Sequence, residues 1–184
     1  PLPNLLGDFQ LSNVSTAIAT VRHFKQFKIS QSHIKKAITK IKSEGRLQVI
    51  KQGRLRNFVS KNNKIIVDGA HNKLAALVIN QYLKKMFPNN KIYMILAMMK
   101  NKDHKEFIKV FKNQINEIIT LNIPNQINFI EKENLSEIAI SCGLKSKTED
   151  SIKSALKNIS KKDSNALIFC TGSLYFAGEI LNLN

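Results

Sequence analysis

Tryptophan is absent, cysteine occurs only twice, and no apolar run nears the ~20 residues of a membrane span in this 184-residue chain. Each absence removes a class of protein. Without a long apolar run there is no membrane-spanning helix to place, and the first residues lack the charged, apolar and small-residue zones of a secretory leader. Cys142 and Cys170 are too few for a disulfide scaffold and read as buried thiols of a cytoplasmic protein. The four histidines, His23, His33, His71 and His104, have no metal-ligand spacing with either cysteine, so no metal site is assigned. Seven glycines, at 7, 45, 53, 69, 143, 172 and 178, form neither a G-x-x-x-x-G-K-[ST] loop nor a G-x-G-x-x-G fingerprint. Nor can a Ser/His/Asp or Cys/His nucleophile set be assembled. Acidic residues are scarce too: 13 Asp and Glu against 29 Lys and Arg leave a net charge of +16. Such a balance attracts phosphate backbones. The cations are nearly all lysines scattered along polar helix faces, however, with arginine only at 22, 46, 54 and 56. Aromatic interleaving is missing, so the charge reads as solvated faces and not as a nucleic-acid surface.

What is present is a polar turn after a buried strand. Lys64-Ile65-Ile66-Val67 runs into Asp68-Gly69-Ala70-His71-Asn72, and a helix-patterned stretch follows. Asp supplies a carboxylate, Gly a tight turn and Asn a helix N-cap. Capping alone does not call for the imidazole of His71. In open α/β sheets, strand ends of this kind are where ligands bind.

Hydrophobic spacing orders the rest. Val14, Ala17, Ile18 and Val21 share one helical stripe, and Ile34, Ala37, Ile38 and Ile41 share a second after the candidate cap Ser30. Two helices cannot enclose a core, so these stripes need a further partner. Residues 45–63 read as a linker with short β-like runs at 47–50 and 55–60. From Lys64 onward strands and helices alternate. Strands are expected at 65–68, 92–97, 118–121, 127–130 and 166–170, with helices near 73–87, 103–111, 135–142, 152–159 and 173–181. Continuous apolar strands between amphipathic helices imply a Rossmann-like, mostly parallel α/β sheet covered on both faces. Domain boundaries are placed at 1–44, 45–63 and 64–184.

Other turns carry candidate chemistry. Thr171-Gly172-Ser173-Leu174-Tyr175 marks another strand end feeding a helix, where backbone N–H groups and the Ser173 hydroxyl suit a carboxylate or phosphate, or simply a cap. Lys100 and Lys102 follow the 92–97 strand and face either the same crevice or water. Gln10 and Asn13 lie three residues apart on one side of the first helix, and Gly45-Arg46 offers a guanidinium suited to phosphate. The chain opens at Pro1, with residues 1–7 reading as connecting segment, so a piece of a longer protein or a truncated gene product is expected.

Four stretches, in order, are Gly7-Asp8-Phe9-Gln10-Leu11-Ser12-Asn13, Gly45-Arg46-Leu47-Gln48, Asp68-Gly69-Ala70-His71-Asn72 and Thr171-Gly172-Ser173-Leu174-Tyr175. Together they resemble the C-terminal part of folylpolyglutamate synthase/dihydrofolate synthase, within the Mur-ligase superfamily. The resemblance spans essentially the whole chain but only about the last two-fifths of a family member. It implies a ligase in which ATP phosphorylates a folate carboxylate and the amine of glutamate attacks the acyl phosphate. It also implies that the phosphate loop and the Mg²⁺ ligands lie upstream, and that residues 1–44 are the helical tail of that upstream ATP-binding domain. On the matched positions, Asn13, Arg46 and Asp68 contact ATP, His71 and Asp68 belong to the active-site motif, and Ser173 positions glutamate.

Four positions depart from the family pattern: Phe9 replaces a histidine, Ser43-Glu44 replace Trp-Pro, and Lys73 stands where proline commonly follows Asn. The expectation is a ligase module inactive alone, completed by a separate N-terminal half. The alternatives are a noncatalytic nucleotide- or partner-binding module and the remnant of a truncated gene.

Overall fold

The computed structural model describes all residues, Pro1–Asn184. Two helices lead, α1 (Phe9–His23) and α2 (Gln31–Lys40). They are followed by β1 (Gln48–Val49), β2 (Lys64–Val67), α3 (Lys73–Met86), β3 (Ile92–Leu96), α4 (His104–Lys109), β4 (Glu117–Thr120), α5 (Lys132–Ser141), β5 (Ser146–Thr148), α6 (Ile152–Lys162), β6 (Leu167–Thr171) and α7 (Leu174–Asn182). The expected caps Ser30 and Asn72 form, accepting from the His33 N–H and from the Ala75 N–H at 2.9 Å, and Asp103 caps α4 by accepting from the Glu106 N–H at 3.0 Å. Each satisfies a backbone donor that the first helical turn leaves without a partner.

The six strands lie in the order β1-β2-β6-β3-β4-β5, all parallel except the antiparallel edge β1. Side chains alternate across this sheet. Ile66, Met94, Leu96, Ile118, Leu167 and Phe169 pack under α3, α4 and α5, while Ile65, Val67, Tyr93, Ile95, Ile119, Ile168 and Cys170 pack under α6 and α7. Both faces are therefore covered, which is why the strands read as continuous apolar runs. Complete burial of a side chain such as Phe169 or Ile95 contributes about 1.5–3 kcal/mol. The strand order progresses from β2 to β5, then doubles back to insert β6 between β2 and β3. With right-handed crossovers a reversal of direction moves the helices to the other face, so the chain leaves β6 on the face opposite to that taken from β2 and β3. A crevice opens at such a switch point.

Four local expectations are corrected. Segment 45–63, expected as a linker, contributes β1 and the fully buried Leu47 and Leu55 to the α/β unit. Within it, residues 55–60 form no β run: Arg54–Phe58 wind into a 3-10 turn, because the Asn184 main-chain and side-chain oxygens accept from the Arg54 and Leu55 N–H groups. Residues 127–130 form no strand; only Phe129 bridges Met99, and Ile127 is fully exposed. An unexpected strand, β5, is Ser-Lys-Thr, polar and half-buried at the sheet edge. Lys73, standing where the resembled family commonly has proline, opens α3 behind the Asn72 cap and pairs with Glu106 at 2.7 Å, an exposed pair of small energetic worth.

Candidate functional site

The turns after β2 and β6 sit side by side because Val67 pairs with Cys170 in the sheet. Three bonds stitch them together: Asp68 N–H to Cys170 O at 2.9 Å, Gly172 N–H to Ala70 O at 2.9 Å, and the Thr171 hydroxyl to Ala70 O at 3.3 Å. On its other side Gly172 permits an equally close approach of the turn after β3. It lies at φ +113, and a β-carbon there would stand 2.5 Å from the Ala97 carbonyl oxygen.

Asp68 organises the first turn. It is 3% exposed, and its two oxygens accept from the Leu47 and Ala70 N–H groups, each at 2.8 Å. Expected in catalysis and ATP contact, this carboxylate is turned inward, and what it holds directly is backbone. Leu47 is held with φ 45, a left-handed conformation costing a non-glycine residue about 1–2 kcal/mol. Gly45, at φ 64, accepts from the Gly69 N–H at 2.8 Å and donates to Gln48 Oε1 at 2.9 Å. Arg46 lies between these two left-handed residues, so its backbone is pinned on both sides to the Asp68-Gly69 turn. None of the seven ion pairs in the chain includes its guanidinium.

Two clefts meet at His71. One, of about 480 Å³, is lined by Gln10, Asn13, Arg46, Asp68 and His71 among others. It brings together α1, the Gly45-Arg46 turn and the Asp68–Asn72 turn. Gln10 is buried and accepts from the Asn13 side-chain amide at 2.9 Å, leaving the Asn13 carbonyl oxygen free. The second, of about 280 Å³, is lined by His71, Asn101, Lys102, Asn128 and Ser173 among others. The Ser173 hydroxyl oxygen caps α7 by accepting from the Tyr175 N–H at 3.1 Å. His71 Nδ1 lies 3.1 Å from the Gly69 carbonyl oxygen. A carbonyl only accepts, so that bond puts a proton on Nδ1 and leaves Nε2 as the nitrogen open to a ligand.

All five expected residues thus fall on two adjoining clefts. Of the two lysines in the 98–103 turn, Lys102 lines the second cleft, while the Lys100 backbone N–H donates to Asn128 O at 2.9 Å. Asn128 and Leu174 were not singled out by sequence. The first falls inside the stretch expected as a strand at 127–130, and the second reads as an ordinary leucine of the helix near 173–181.

Electrostatics set up a pH test. Burial pushes the Asp68 carboxyl above its ordinary 3.8, against the pull of the Leu47 and Ala70 N–H bonds and of Arg46. The Lys73 and Lys109 ammonium groups instead hold the exposed Glu106 carboxyl down to about 2 from its ordinary 4.5. For Asp68 the folded value lies above the unfolded one. Its stabilising contribution is therefore complete below the unfolded pKa and is lost as pH rises through the folded value. For Glu106 the contribution is present above 4.5 and is lost as pH falls toward 2. Carboxyl-carbon NMR titration should place the two groups on opposite sides of the ordinary range. Asp68 titrating below 3.8 would show that hydrogen bonds and Arg46 outweigh burial.

A doubly wound parallel sheet whose polar turns gather at the switch point defines a ligand-binding α/β domain. The profile of the family described as dihydrofolate synthetase, C-terminal domain, matches residues 48–183, and the chain belongs to that family. A Buchnera aphidicola (from Acyrthosiphon pisum) dihydrofolate synthase/folylpolyglutamate synthase is 32% identical over 176 residues, covering 94% of this chain and 39% of that protein. The Saccharomyces cerevisiae dihydrofolate synthetase is 21% identical, covering 98% of this chain and 45% of that protein. Among solved structures, Mycobacterium tuberculosis folylpolyglutamate synthase complexed with ADP and AMPPCP matches with a TM-score of 0.81 at 19% identity, over 98% of this chain and 41% of that one. A Yersinia pestis bifunctional folylpolyglutamate synthase/dihydrofolate synthase complexed with AMPPNP and Mn matches with a TM-score of 0.75 at 19% identity, over 99% and 40%. These structural likenesses establish the fold. The chain spans about two-fifths of the length of the curated relatives it matches.

Proposed function

We propose that this chain is the nucleotide-closing C-terminal unit of an ATP-dependent ligase that adds glutamate to a folate carboxylate. The observation that carries this reading is the convergence of Asn13, Arg46 and His71 on one cleft that adjoins the Ser173 pocket. The ligase names of the relatives and the nucleotide complexes of the structural neighbours support it.

The first cleft fits a nucleotide. Arg46 supplies a planar fork for phosphate oxygens, Asn13 an amide oxygen for a ribose or base donor, and His71 Nε2 a hydrogen-bonding nitrogen at the junction of the clefts. Asp68 acts through backbone, fixing the turn from which Arg46 projects. Bound ATP supplies the phosphoryl group that activates the folate carboxylate. The second pocket then holds glutamate, with Lys102 and Ser173 complementing a carboxylate. Its part in the reaction is positioning, which makes attack effectively unimolecular. No three His, Cys, Asp or Glu side chains are grouped to hold a metal ion, and the Mg²⁺ ligands implied by the family resemblance belong to the upstream half.

Residues 1–44 are the helical end of the upstream ATP-binding domain. An apolar groove of about 380 Å³ between α1 and α2, lined by Val14, Ile18, Val21, Ile34 and Ile38 among others, is its seat. The enzyme works in the cytoplasm, a placement supported by two buried free thiols, Cys142 and Cys170. No helix is long and apolar enough to cross a membrane.

The chain alone, given ATP, glutamate and a reduced folate, is expected to make no product. Mixing it with a separately expressed upstream half should give glutamate addition matched by ADP release. Turnover by this chain alone, or none from a stable assembled pair, would overturn the proposal.

A further inference from the structure

We infer that Leu174 is a positioning residue whose side chain, wedged on the Gly69 backbone, holds the Arg46 guanidinium over the first cleft. The geometry is crowded on a single α-carbon. A β-carbon at Gly69 would lie 2.2 Å from Leu174 Cδ2, 2.7 Å from Leu174 Cγ and 3.1 Å from Arg46 Nη1. Leucine and guanidinium thus share the space that the missing side chain leaves open. Leu174 also reaches the neighbouring turn, where a β-carbon at Gly45 would stand 3.9 Å from its Cδ2. Arg46 has no ion-pair partner in the chain. Its backbone is pinned by Gly45 and Leu47, so the end of the side chain is directed by the longer-range attraction of the Asp68 carboxyl and by packing on Gly69 and Leu174. Leu174 is 47% exposed although it opens α7. A leucine so exposed adds little to the core, whereas its contact with Gly69 bears on the site.

The same side chain walls the second pocket beside His71 and Ser173. A ligand entering there meets Leu174, and any displacement of Leu174 reaches Arg46 across one side chain. Coupling of this kind is reciprocal. Its description as communication between acceptor and nucleotide rests on the function proposed above; the wedge itself does not.

Arginine side-chain Nε–H NMR on the full chain tests the inference, since only four arginines are present. Wild-type Arg46 should be ordered, with an order parameter of about 0.8, and L174A should lower it below about 0.6. L174M, which keeps the volume, should restore it. The thermal midpoint, followed in parallel, should be nearly unchanged in both variants. Arg46 equally ordered in wild type and L174A overturns the wedge. Glutamate should shift the Arg46 resonance in wild type and not in L174A, and no shift in wild type overturns the link between the clefts. Added ATP separates the two levels. If ATP leaves wild-type Arg46 unmoved while L174A still frees it, nucleotide binding by this chain fails and the wedge stands.

Discussion

Replacing Gly172 by alanine should destabilise the chain by about 3–5 kcal/mol, a fall in thermal midpoint of roughly 10 °C for a domain of this size. Two costs combine. The residue lies at φ +113, where a side chain is strained whatever the space around it. The added β-carbon would also stand 2.5 Å from the Ala97 carbonyl oxygen and 2.8 Å from both Leu96 Cδ1 and Met98 Cγ. The nearest of these atoms is backbone of the turn after β3, held by the Ala97 N–H bond to Thr171 O at 3.3 Å. It cannot swing aside as a side chain would. Relief requires separating the β3 and β6 turns, which carry Lys102 and Ser173 of the second cleft. Thermal unfolding followed by circular dichroism checks the size of the effect; a loss under about 1 kcal/mol would mean that the turns are not packed this tightly.

Arg46→Ala should lower ATP-dependent kcat/KM of the reconstituted ligase at least 100-fold, about 2.7 kcal/mol of transition-state stabilisation, while barely moving the thermal midpoint. The separation of the two effects follows from the structure. The guanidinium takes part in no ion pair, so the fold loses little when it goes. The backbone around it is another matter. Leu47 sits in a left-handed conformation, and the buried Asp68 is committed to bonding Leu47 and Ala70. Strain and a buried carboxylate gather where a single arginine projects into a cleft, a pattern associated with functional sites. Arg46→Lys should recover only part of the activity, because an ammonium lacks the planar fork for two phosphate oxygens. Unchanged kinetics in Arg46→Ala, or a large stability loss, would assign Arg46 to the fold.

Much of the architecture was legible because burial on both faces leaves a local mark. Residues 65–68, 92–97 and 166–170 read as strands since neither face can carry charge, and β2, β3 and β6 fall there within a residue at each end. β5 left no such mark, as Ser146-Lys147-Thr148 lies half-buried at an edge. The 54–58 turn was misread because Leu55 and Phe58 look strand-like, while its hydrogen-bond partner, Asn184, is 129 residues from Leu55. Local spacing carries no information about such a partner. The site divides in the same way. Asp68, His71 and Ser173 stand out because polar residues and glycine follow buried strands. Asn13 and Arg46 rested on the family resemblance, since their spacing alone fits a surface amide and an exposed cation. That Asp68 would be spent on the Leu47 N–H, and that Leu174 would pack on Gly69, depend on contacts 21 and 105 residues apart in the chain.

The most direct test is the structure of this chain assembled with the upstream half and a non-hydrolysable ATP analogue. Expected are phosphate oxygens within about 3 Å of the Arg46 guanidinium, with Asn13 and His71 lining the same bound nucleotide. A nucleotide seated beyond reach of all three side chains, with Arg46 left facing water, would contradict the shared cleft on which the ligase assignment depends.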